Sequence, residues 1–123
     1  MSHFTTIRTQ IKNLEIIKKV LDNLGHNWEE NSKIEGWKGR TRKVDLSINL
    51  QEHYLVGLKK NQDGIYDAIA DWSMMRSATY KWQKVVQAYS VETVKHQASL
   101  MGYEVENEEI NQGEIKIVIA GWS

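Results

Sequence analysis

From Val44 to Leu50 apolar and polar residues alternate without a break. Val44, Leu46, Ile48 and Leu50 fall on one side, Asp45, Ser47 and Asn49 on the other. A period of two is a strand period, and one apolar side beside one polar side is the pattern of an antiparallel sheet. Tyr54, Val56 and Leu58 continue it after a turn near residues 51–53. Asn61-Gln62-Asp63-Gly64 then reads as a hairpin turn, with Gly64 available for positive φ. The returning strand sets Ile65, Asp67, Ile69 and Asp71 against Tyr66, Ala68, Ala70 and Trp72. Val44–Trp72 is thus a β-meander, and the rest of the chain has to cover its apolar face.

Two stretches with helical spacing can do so. Leu14, Ile17, Leu21 and Leu24 recur at intervals of three and four, after Asn13 as N-cap and before Gly25 as a left-handed stop. From Ser73 the pattern is helical again, through Met75, Ala78, Trp82, Val85, Val86 and Tyr89, then Val91, Val94, Ala98 and Met101. This predicts a helix over Met75–Met101, either continuous or bent near Tyr89, where Ser90 would cap a second segment. The stripe containing Met74, Met75 and Trp82 reads as core rather than as a ligand pocket.

The remaining runs are strands. Phe4–Ile11 predicts an opening strand with Thr5, Ile7, Thr9 and Ile11 on one face, and Asn27–Ser32 another. Tyr103–Glu109 and Glu114–Trp122 form a closing hairpin about Asn111-Gln112-Gly113, with Ile115, Ile117 and Ile119 inward. The expected fold is α+β: a single domain over residues 1–123, mainly antiparallel sheet with both helices on one face, in the order β-α-β-β-β-β-α-β-β. VLDNLGHNWEEN (Val20–Asn31) echoes QASLMGYEVENEE (Gln97–Glu109). A degenerate duplication and two junctions solving one capping problem explain the echo equally well.

Composition narrows the function. The 123 residues contain no cysteine, which excludes disulfides and thiolate chemistry and fits a reducing compartment. Sixteen basic side chains balance sixteen acidic ones, whereas a protein built to grip nucleic acid usually carries a basic surplus. No apolar run approaches the roughly 18–20 residues of a membrane span, and the N-terminus lacks a signal-peptide core. A soluble, intracellular protein is expected.

Nothing in the sequence has the spacing of an active site. No GxGxxG, P-loop or GxSxG motif occurs, and His3, His26, His53 and His96 lie in separate elements without metal-ligand spacing. Asp67 and Asp71 are four apart on one strand, about 13 Å, too far to share a proton. Asp45 could approach Asp67 across the sheet. No catalytic, cofactor-binding or metal residue is expected, and no cofactor.

Two surfaces remain as candidate contacts. Trp37, Lys38, Arg40, Arg42 and Lys43 gather four cations beside one aromatic, suited to an anion or to RNA, although the neutral overall charge favours a solvated hairpin loop with its tryptophan folded back on the sheet. The polar sheet face carries Asp45, Ser47, Asn49, Asp67 and Asp71. Glu104–Glu109 would solvate an outer strand and discourage edge pairing. Trp28, Trp37, Trp72 and Trp122 near strand ends suit either a core rim or an interface.

Three blocks in order carry a family resemblance: MSHFTTIRTQI at the start, YLVGLKKNQDGIYDAIADW in the middle, and AYSVETVKHQASLMGYEV with GEIKIVIAGW towards the end. Together they resemble the ycf thirty-five family, hypothetical reading frames of plastid genomes and cyanobacteria also treated as a domain of unknown function. The chain departs from that pattern at Ala120-Gly121, where relatives look more basic. The resemblance implies a setting, chloroplast stroma or cyanobacterial cytoplasm, and support of the photosynthetic machinery. It supplies no activity, cofactor or site residue. The expected role is a non-catalytic accessory or assembly protein that docks on a protein partner through its sheet or an edge strand. The alternative is an RNA-binding module on the Trp37–Lys43 loop. An enzymatic or small-ligand role would need an enclosed pocket lined by Asp45, Asp67 or a histidine.

Overall fold

The computed structural model describes residues 4–36, 39–51, 54–73, 75–111 and 114–120. Seven strands and two helices follow one another as β1 (Thr5–Ile7), α1 (Leu14–Leu24), β2 (Asn27–Glu35), β3 (Thr41–Gln51), β4 (Tyr54–Lys60), β5 (Tyr66–Ala70), α2 (Thr79–Leu100), β6 (Glu104–Asn111) and β7 (Glu114–Ala120). The order is the expected one, and the fold is α+β. Five strands form an antiparallel sheet in the order β1-β5-β4-β3-β2, while β6 and β7 make a separate hairpin.

Alternation places the core. Leu46, Ile48 and Leu50 of β3, Val56 and Leu58 of β4, and Tyr66, Ala68 and Ala70 of β5 share one cluster with Ile17, Val20 and Leu21 of α1 and Trp82, Val85 and Tyr89 of α2. Both helices therefore lie on one face of the meander. The first strand is shorter than its threonines suggested. β1 ends at Ile7, but the chain stays beside β5: the Thr9 hydroxyl donates to the Tyr66 carbonyl, and the Tyr66 N–H donates to the Ile11 carbonyl at 2.9 Å.

The helix ends follow from local chemistry. The Asn13 side-chain oxygen accepts from the N–H groups of Glu15 and Ile16, and the Tyr89 hydroxyl accepts from those of Lys12 and Asn13 at 3.0 and 3.1 Å. Four donors at the start of α1 are thus satisfied, two of them by the other helix. At the far end Gly25 adopts φ 81°, with its N–H on the Asp22 carbonyl and that of His26 on Leu21. Gly102 ends α2 at φ 80° with the equivalent bonds to Ser99 and Ala98. Both are Schellman caps, and the sequence echo coincides with this shared geometry.

The second helix differs from α1 in having two apolar sides. Between Trp82 and Val91 it turns by roughly 180°, at about 100° per residue. Trp82, Val85 and Tyr89 face the sheet, yet Val91 and Ala98 on the far side are also buried. β6 and β7 both contact α2 and are the elements available to cover that side. The helix is continuous through Tyr89. Ser90 does not begin a second segment; its hydroxyl donates back to the Val86 carbonyl at 3.1 Å. Helical structure begins with a short 3-10 turn at Arg76–Ala78 rather than at Met75. Met74, the turn at residues 112–113 and Trp122 lie outside the described residues, as do the side chains of Ile115, Ile117, Ile119 and Glu104–Glu109.

Candidate functional site

One expectation about β3 fails, and its failure creates the site. By strict alternation Val44 should join Leu46, Ile48 and Leu50 against the helices. Instead it belongs to a second cluster with Ile34 and Ile69, flanked by Phe4 and Leu55, on the other side of the sheet. The change occurs at one step of the β2–β3 ladder. Glu30 pairs with Leu46 and Ser32 with Val44, but Asn31 and Asp45 between them drop out of regular pairing. Asn31 has φ 49°, a left-handed conformation that asparagine tolerates better than most residues. Opposite it, the Asp45 carboxylate accepts the Lys60 N–H at 2.7 Å. This side-chain bond takes the place of a ladder bond while both strands change face together.

Beyond that step the distal half of the β2–β3 hairpin folds over the sheet. Val44 lies on Gly57 of β4, where an added Cβ would collide with the valine Cγ1. Phe4, just before the strand at the opposite edge, reaches Gly36 at the end of β2, with a hypothetical Cβ only 2.8 Å from its ring. Ile34 is fully buried there. The polar face is consequently covered in part by the chain itself.

Its residues fare differently. Ser47 and Asp71 are buried, Asp45 and Asp67 half-buried, and Asn49 exposed. The Asp71 carboxylate accepts from the Ser73 hydroxyl at 2.9 Å, and Asp67 from the Asn61 side-chain amide at 3.2 Å. The Ser47 hydroxyl points to the Glu29 carbonyl at 3.4 Å. Lys59 pairs with Asp67 across β4–β5, and the β3–β4 register extended from Leu46 and Leu58 puts Asp45 on its other side. Two strand spacings, roughly 9–10 Å, therefore separate Asp45 from Asp67, with a lysine between them. They are not a dyad.

The basic stretch is not simply a loop. Trp37 and Lys38 lie outside the described residues, and Gly39 and Arg40 belong to the connection. Arg42 and Lys43 are residues of β3, opposite Ile34 and Lys33. The reason is the register: β2 runs on to Glu35 and holds Thr41–Lys43 in the ladder. Arg40, Arg42 and Lys43 are exposed.

At the face change an open groove of about 540 Å³ is lined by Glu29, Asn31, Lys33, Lys43, Asp45 and Lys59. Three ammonium groups and two carboxylates line it. Lys33 and Lys43 are direct cross-strand neighbours, an arrangement of like charges that disfavours the ladder unless an anion lies nearby. Neither Lys33 nor Lys59 stood out in the sequence; only the register and the face change reveal them. Burial, and then the Asp45 carboxylate, push the Tyr66 phenol up. Among the described residues no three of His, Asp and Glu are grouped to hold a metal ion, and no helix is long and apolar enough to cross a membrane.

Comparison with known proteins adds kinship without chemistry. The chain is 31% identical to "Uncharacterized protein ycf35" of Pyropia yezoensis, over all of its own length and 99% of that protein. It is 27% identical to the protein of that name from Guillardia theta and 28% to that from Cyanophora paradoxa, each over 99% of this chain and 98% of the relative. No solved structure matches it. The family model described as "Protein of unknown function (DUF1257)" matches residues 20–118, and the chain belongs to that family.

Proposed function

We propose that the protein is a non-catalytic interaction protein of a plastid or cyanobacterium, which docks its β2–β3 hairpin onto an acidic partner protein. The carrying observation is the convergence of Lys33, Lys43 and Lys59 at the face change, with Arg40 and Arg42 exposed further along the hairpin. Opposed lysines at a strand pair repel one another in the free protein, and an acidic surface placed across them removes that cost. Glu29 and Asp45 in the same groove favour an acidic protein, whose separate carboxylates meet the lysines alone, over a continuous phosphate backbone, which would meet Glu29 and Asp45 as like charges. The setting rests on the relatives' ycf name, and a role beside the photosynthetic machinery is the finer form of the proposal.

The test is a retention experiment with immobilised protein and stromal or cyanobacterial lysate, beside a Lys33→Glu/Lys43→Glu variant. The expected result is an acidic protein held by the natural chain and released by the variant. Equal retention by both would refute the hairpin as the docking surface. Retention of RNA in place of protein, weakening steeply with salt and with Arg40→Ala/Arg42→Ala, would transfer the function to nucleic-acid binding.

A further inference from the structure

The clefts of this molecule differ in charge. The hairpin groove mixes lysines with Glu29 and Asp45, and the cleft between the helices contains Glu15 and Glu92, the latter 3.3 Å from Lys19. A further pocket of about 510 Å³ lies where the end of α1, the paired ends of β2 and β3, and the first turns of α2 meet. Among the described residues its lining contains no carboxylate. It contains Lys81, Lys84, His26, Asn27 and Asn49, all with donor groups. Asn27 and Asn49 are direct ladder partners at the strand-end rim of the pocket. The Lys84 ammonium rests 5.3 Å from the centre of the exposed Tyr80 ring, a cation–π contact it gives up to reach an anion in the pocket.

We propose that this pocket binds a small phosphorylated molecule, with the phosphate between Lys81, Lys84 and His26 and the neutral part towards Asn27 and Asn49. Two ammonium groups give the anion its charge complement, and the strand-end rim at Asn27 and Asn49 leaves room for a neutral polar part. Like the hairpin groove, the space is open to solvent, and it is larger than a bare phosphate needs. The C-terminus of α1 opposes an anion here, but its dipole is equivalent to only about half a charge. Two of its carbonyls, those of Leu21 and Asp22, are already bonded. Two full positive charges outweigh it.

His26 reports on occupancy. Burial, and then the charge of Lys81, hold its imidazole below the ordinary value. The charged groups facing it in the described lining are Lys81 and Lys84 from α2; Leu24 of α1, Gly25 after it and Asn49 of β3 bring none. A bound phosphate favours imidazolium and moves that pKa upward.

The experiment is an NMR titration of the isotope-labelled full chain with inorganic phosphate, ribose 5-phosphate and ribose. Saturable shifts centred on His26, Asn27, Lys81 and Lys84 are expected with both phosphates, stronger for ribose 5-phosphate and absent with ribose. The His26 pKa should rise on saturation. Lys84→Gln, at an exposed position, should weaken binding about tenfold, whereas Lys33→Gln/Lys43→Gln should leave it unchanged. Shifts that do not saturate, that survive Lys84→Gln together with Lys81→Gln, or that appear equally with ribose would overturn the site.

Discussion

The two faces of the five-stranded sheet are covered by different means. On one, α1 and α2 bury a continuous cluster in which Ile17, Leu46, Ile48, Val56, Leu58 and Val85 are fully enclosed. On the other, the sheet's own β2–β3 hairpin turns back and encloses little more than Ile34, Val44 and Ile69. The first face is apolar by alternation along whole strands. The second has only isolated apolar residues among Asp45, Ser47 and Asp67, so a hairpin tip suffices to cover it. A layer of helices brings stability through area; a folded-back hairpin leaves basic residues outward and a groove at its bend. The functional candidate lies on the thinly covered face for that reason.

Substitutions can break this contrast. Ile48→Ala on the helix face should cost about 2–5 kcal/mol, read as a lowered denaturation midpoint across the whole molecule. Gly57→Ala should cost less, about 1–3 kcal/mol, because its new methyl group collides with Val44. Adding Val44→Ala to Gly57→Ala should recover part of that loss, and strict additivity in the double-mutant cycle would mean the two do not pack. Asn31→Val forces a β-branched residue to φ 49° and should cost about 1–2 kcal/mol, whereas Asn31→Gly should be close to neutral. The smallest effect is expected from pH. Since the folded pKa of His26 lies below 6.5, its contribution is complete above pH 6.5 and diminishes as pH falls from there towards the folded value. His26→Gln should flatten the stability profile in that window, measured by denaturation at stepped pH.

Much of the architecture was legible because it is periodic. The meander, both helices, the Gly25 cap and the Asn61–Gly64 turn follow from spacing and local chemistry. In that turn the Asn61 side chain accepts from Asp63 and Ile65, and Gly64 takes φ 80°. Val44 was misplaced because alternation assumes an unbroken ladder, and the step at Asn31 and Asp45 leaves no mark in the hydrophobic pattern. Lys59 was missed for a related reason: only strand order and register bring it near Lys33 and Lys43. The His26 pocket depends on contacts between α1, α2 and the β2–β3 ladder, so no local window contains it.

The hydroxyl of Tyr89 closes the start of α1 from 76 and 77 residues away. A helix of eleven residues is marginal in isolation, and part of its N-terminal capping resides on a segment synthesised much later. Without α2 the Lys12 and Asn13 N–H groups at the entry to α1 lack these partners. The start of the first helix is completed only by a side chain of the second, so the two helices depend on one another at that point.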